Sequence, residues 1–224
     1  MKRICIVWIL LMFQYLIKAQ TDCVVCDVFN QIKLENIDNK LKDSILTHTK
    51  YYPQTNDSDY IEYYSLTIDS VKEQVRIEFG FESGQKAYAI DEIKLFKKSD
   101  GNYKAIYSHC TGANAMLNQG ELSIYDYNTK TRILSIDNLT RSLFQIGLKD
   151  FFKVNTPDSV ITEFDSHSGF SYDLFYAEKN DIEFRLVNFL IFDHLKDNKD
   201  VSGNIIGFKW INDRFVRLEP YFEE

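Results

Sequence analysis

The chain has 224 residues, 45% of them apolar and 26% charged, with nine glycines, three prolines and a formal charge of −7. Such a composition excludes disordered, collagen-like and low-complexity chains, and its length supports a real core without metals or disulfides in its place. The acidic balance disfavours general nucleic-acid binding and docking on anionic lipid.

The first twenty residues differ in kind from the rest. Lys2 and Arg3 precede an unbroken apolar run from Ile4 to Phe13, and Ala19 offers a small residue for signal peptidase. The pattern predicts a secretory signal over residues 1–19, followed by a single β-rich domain over 20–224. Even extended to Ile17, the apolar stretch is shorter than the roughly 20 residues of a spanning helix, and no second apolar block follows. The expected location is therefore secreted or periplasmic, with no membrane span once the signal is cut. A retained N-terminal anchor is the alternative, because Ile17 is bulky for the position three residues before cleavage. A lipoprotein signal is disfavoured, since Gln20, Thr21 and Asp22 before Cys23 lack the apolar and small side chains it needs. Cleavage removes Lys2, Arg3 and Lys18 and no acid, which takes the formal charge from −7 to −10.

Three cysteines remain after the signal: Cys23, Cys26 and Cys110. An odd count in an oxidising compartment implies one bridge and one thiol left over. A staple from Cys26 to Cys110 is favoured, closing a loop of more than 80 residues, with Cys23 to Cys110 or Cys23 to Cys26 as alternatives. The spacing Cys23-Val24-Val25-Cys26 also fits thiol–disulfide exchange, but no core strand precedes it as a thioredoxin-like fold requires. A zinc site from Cys23, Cys26, His109 and Cys110 is disfavoured, because adjacent strand residues point to opposite faces. No metal and no cofactor is expected.

Apolar residues Val28, Phe29, Ile32, Ile37, Leu41 and Ile45 recur at helical steps and predict an amphipathic helix over 27–48, opened by Asp27 as a cap. Beyond Tyr60 the period changes to two. Val75, Ile77, Phe79 and Phe81 alternate with Arg76, Glu78, Gly80 and Glu82, which predicts a strand with one dry and one wet face. Further strands are expected at 90–97 and 103–109, 121–127 and 132–136, 172–176 and 182–192, and 205–211 and 215–218, each pair joined by a short polar turn. The segment 143–154 fits a helix or a buried strand equally well. About ten strands and one N-terminal α-helix describe a mainly β fold, an antiparallel sandwich or barrel-like meander.

Chemistry is less legible. The chain lacks the G-x-S-x-G elbow, the H-E-x-x-H helix and the phosphate-binding G-x-x-x-x-G-K-[ST] loop. In Asp165-Ser166-His167-Ser168-Gly169, alternate residues on a strand would place His167 opposite both serines, so a solvated turn is the better reading. The run 193–200 reads as a charged loop, because Lys196 and Lys199 sit among its acids. Tyr51, Tyr52, Tyr60, Tyr63 and Tyr64 crowd into a polar region and suit recognition of a protein or glycan partner. The expectation is an exported binding or interaction module, such as an inhibitor or an envelope component, rather than an enzyme. The alternatives are an exported hydrolase with dispersed Asp, Glu and His groups, and a thiol–disulfide role for Cys23 and Cys26.

Overall fold

The computed structural model describes residues 23–54, 61–82, 88–113, 116–165, 170–174, 177, 180–186 and 197–222. Two helices come first, α1 (Val24–Gln31) and α2 (Asn39–Thr47). Seven strands follow in a meander: β1 (Lys50–Tyr51), β2 (Glu62–Asp69), β3 (Gln74–Phe81), β4 (Tyr88–Lys97), β5 (Tyr103–Ala113), β6 (Met116–Asn128) and β7 (Ile133–Ile136). They form one antiparallel sheet in sequence order. A short helix α3 (Asn138–Arg141), two 3-10 turns and α4 (Asp158–Asp165) lead to a second antiparallel sheet. Its strands are β8 (Phe170–Asp173), β9 (Ile182–Leu186), β10 (Ile205–Ile211) and β11 (Arg214–Arg217), again in sequence order. The mainly β class is as expected.

Strand parity divides the larger sheet into two buried faces. Val75, Ile77, Ile93, Tyr107 and Tyr127 pack with Val25, Val28, Phe29 and Ile45 of the helices. On the other side Phe96, Ile106, Leu122 and Ile124 pack against Phe184, Phe208 and Phe215 of the second sheet. The order is helices, seven strands, four strands, with a core on each side of the middle layer.

The helix expected over 27–48 is two. Asp38 caps α2, its carboxylate accepting the Leu41 N–H at 2.7 Å, and Asn36 between the helices adopts φ 60°. Asn tolerates this left-handed backbone better than most residues, and it turns the chain back. Asp27 falls in the first turn of α1 rather than before it. Lys42 of α2 joins the pair: it is 5% exposed and donates to the carbonyls of Phe29 and, at 2.9 Å, Ile32.

β3 also departs from the expectation of one wet face. Gln74 is 3% exposed because the chain after β8 roofs it, its amide donating to the Leu174 carbonyl at 3.2 Å. Leu174 N–H in turn donates to Glu92 at 2.8 Å, and Glu92 pairs with Arg76 beneath the same roof. Segment 143–154 is neither a long helix nor a strand. It runs through 3-10 turns at Ser142–Phe144 and Leu148–Phe151, burying Phe144 and Phe151 in the core between the sheets. The polar turn after β10 is the two-residue kind: Asn212 and Asp213 have φ 49° and 62°, the pairing that matches strand twist.

The favoured Cys26–Cys110 staple does not form. Cys23 and Cys26 are joined at the start of α1, with S–S 2.09 Å, and Cys110 is a free buried thiol. The reason lies in the parity of β5. Its residues Tyr103, Ala105 and Tyr107 face the helices that carry Cys26, whereas Ile106 and its even-numbered neighbours face the second sheet. The seven-stranded sheet stands between the two sulfurs.

Candidate functional site

A cavity of 310 Å³ opens between the α1–α2 loop and the adjoining ends of β2, β3, β4 and β5. Tyr64, Phe79 and Tyr88 form its apolar walls, with the Tyr64 and Phe79 rings 5.0 Å apart. Glu35, Asp91 and His109 bring the polar groups. Each arrives there for a local reason. Asp91 and His109 are directly opposite one another on β4 and β5, so their side chains share a face. A register shift between His109 and Cys110 inserts Gly120 of β6 as an extra residue beside them.

The hydrogen-bond order follows from counting donors. The Glu35 N–H donates to the Tyr107 hydroxyl at 2.9 Å, so the one hydroxyl proton of Tyr107 is directed to Asp91 Oδ1, 2.6 Å away. The same oxygen lies 2.9 Å from His109 Nδ1. A carboxylate only accepts, so Nδ1 carries hydrogen and the neutral imidazole presents Nε2 as an acceptor. Nε2 is buried with no hydrogen-bond partner, and Glu35 Oε2 stands 3.7 Å from it. Two larger cavities, of 420 and 380 Å³, are lined by no such atom.

Burial works against charge on His109, but the Asp91 hydrogen bond and the charges of Asp91, Glu35 and Glu121 overcome it and hold the imidazole pKa above its ordinary value. Burial raises the Tyr107 hydroxyl far above the ordinary phenol range, with Asp91 adding to the effect, so it stays a donor. An Asp–His pair with a free Nε2 can accept a proton from a ligand or from water. Among the described residues no serine, threonine or cysteine bonds Nε2, so no side-chain nucleophile is in place.

The tyrosines are split by the sheet. Tyr51 and Tyr64 are paired across β1 and β2 and pack toward the helices, and of the two Tyr64 reaches the cavity. Tyr52 and Tyr63 belong to the opposite face, where Tyr52 and Lys50 bond Glu82 at 2.5 and 2.9 Å and Lys50 lies over the Tyr63 ring. Tyr60, His167 and His194 lie outside the described residues. Among the described residues no group of three or more His, Cys, Asp or Glu is arranged to hold a metal ion. No helix there is long and apolar enough to cross a membrane.

Asp91, Tyr107, His109, Glu35 and Gly120 were not apparent as a site in the sequence. The usable signal was polarity at dry-face positions: Asp91 interrupts Ala89, Ile93 and Leu95, and His109 follows Tyr103, Ala105 and Tyr107. No family model, curated protein or solved structure matches the chain.

Proposed function

We propose that this is an exported binding protein, secreted or periplasmic, that holds a small ligand in the cavity beside His109. The observation that carries the reading is a 1% exposed imidazole whose Nε2 has no partner at an aromatic-walled cavity. Unsatisfied buried acceptors are costly and uncommon, and an apolar pocket with a few convergent polar groups is the usual form of a ligand site. Export is supported by Lys2, Arg3, the apolar run from Ile4 and Ala19. A mature chain beginning at Gln20 is the expected product, and an intact N-terminus in the cytoplasm overturns that part.

The binding test is a fragment screen followed at the ¹⁵N resonances of the His109 imidazole. At least one fragment is expected to shift Nε2 saturably, and the response is expected to vanish when Tyr88→Trp fills the cavity. A library that leaves Nε2 unmoved at millimolar concentration overturns the reading.

One observation favours a hydrolase as the second reading. The Asp91–His109 pair has the orientation of a general base, and Glu35 supplies a second carboxylate 3.7 Å from Nε2. Turnover of an ester or glycoside probe that is lost in His109→Gln would establish it.

A further inference from the structure

We propose that the ligand held beside His109 is a small organic ammonium, a primary amine on an aromatic or aliphatic body. The inference rests on the cavity being a binding site and names the chemistry of its occupant.

The first support is geometric. Nε2 and Glu35 Oε2 are both acceptors, and 3.7 Å between them is too long for a hydrogen bond and leaves each without the other. Nε2 is closed to solvent, and a single donor atom admitted by movement of the 45% exposed Glu35 side chain would lie within about 2.8 Å of both acceptors. It must carry at least two hydrogens, and an ammonium carries three. A hydroxyl has one and satisfies one acceptor only. A carboxylate has none and meets two acceptors head on.

The second support is charge. Among the described residues that line the cavity, Glu35 and Asp91 are acids and none is Lys or Arg. Glu62 and Glu121 add negative potential from the flanking strands, the first acting on Tyr64 and the second on His109. Lys50, the nearest base along β1, is turned to the other face and paired with Glu82. The aromatic walls complete the match, because the faces of Tyr64, Phe79 and Tyr88 attract a cation as well as its hydrocarbon body.

Three nearly isosteric probes decide it: phenethylamine, phenethyl alcohol and phenylacetate, titrated into the purified protein. The surroundings of His109 raise its pKa, so the titration is run at a pH of about 9, well above the ordinary imidazole value and still below that of an alkylamine. The amine is expected to bind about tenfold or more tightly than the alcohol, with the acetate weakest. Glu35→Gln, at a side chain 45% exposed, is expected to collapse the ratio of amine to alcohol binding toward one. Equal or better binding of the alcohol or the acetate overturns the ammonium assignment while the cavity stands as a binding site. Failure of all three to move the Nε2 resonance removes the binding site and this assignment together.

Discussion

Gly120 lies flat against the imidazole of His109: a Cβ built on it would come 3.0 Å from Cδ2 and 3.4 Å from the His109 carbonyl oxygen. The ring thus lies between Asp91, which bonds Nδ1, and a backbone where a Cβ would push it by a few tenths of an ångström. Gly120→Ala should cost about 1 kcal/mol, the low end for an added methyl, because residue 120 is exposed and the one tight contact is with the His109 ring. It should also displace the His109 resonances. Urea unfolding with an unchanged midpoint would show that this contact is loose.

The pH dependence has a defined sign. The folded-state pKa of His109 is raised, so its contribution to stability is full below the ordinary value of 6.5 and is lost as pH rises through the folded value. Glu92 acts in the same direction, since burial pushes its carboxyl up to about 7 against the pull of Arg76. Stability should therefore fall as pH rises through about 7, the Glu92 value, and through the raised His109 value. In Asp91→Asn the slope should be shallower and the His109 midpoint should drop below 6.5, because burial then opposes charge with less to offset it. An NMR titration with an unmoved midpoint refutes the assigned cause.

Arg76 and Glu92 form a pair with side chains 13% and 3% exposed. Glu92→Leu takes an acid from the buried guanidinium and strips the Leu174 N–H of its acceptor. A loss of about 3 kcal/mol is expected, with part recovered in the double variant Arg76→Leu/Glu92→Leu. A double variant no better than the single one would show that the partner's charge is not the cause.

Lys42 ties α2 to the end of α1 through the carbonyls of Phe29 and Ile32. Burial lowers its pKa to about 8, so the ammonium is held at some cost and justified by those two acceptors. Lys42→Met keeps the apolar stem and removes the donors, and should destabilise by about 1–3 kcal/mol. Hydrogen exchange at Ile32 and the α1 amides should speed up in parallel. Unchanged exchange would detach Lys42 from the stability of α1.

Thiol labelling separates the cysteine readings. In the chain from Gln20 onward, Cys110 is buried and its thiol is pushed up to about 12 by burial, while Cys23 and Cys26 are bridged. The native protein should give no adduct with iodoacetamide and the unreduced, unfolded protein one, on Cys110. Peptide mapping that found Cys110 bridged would contradict the described fold. So short a loop contributes about 2 kcal/mol in the chain-entropy account, less than a staple closing 80 residues.

The alternation of Val75, Ile77 and Phe79, and the turn residues Asn212-Asp213, were enough to identify strands and hairpins, because strand period and turn dihedrals are local constraints. The helix break at Asn36 was less legible, since apolar spacing runs through it and the Asp38 cap is one residue among several candidate acids. Buried polar groups on the second face of β3 were misread as wet because alternation reports which residues share a face, and cannot report what covers it.

Sequence alone determined the mainly β class and the helical start, both set by period and composition. Tertiary structure decided the cysteine pairing and the site. Asp91 and His109 are 18 residues apart, and Glu35 and Tyr107 are 72 apart, so only the register of β4 on β5 and the fold-back of the α1–α2 loop bring them together. A contact between distant residues leaves no local pattern in the chain, and the Glu35, Asp91, Tyr107 and His109 arrangement is made of such contacts.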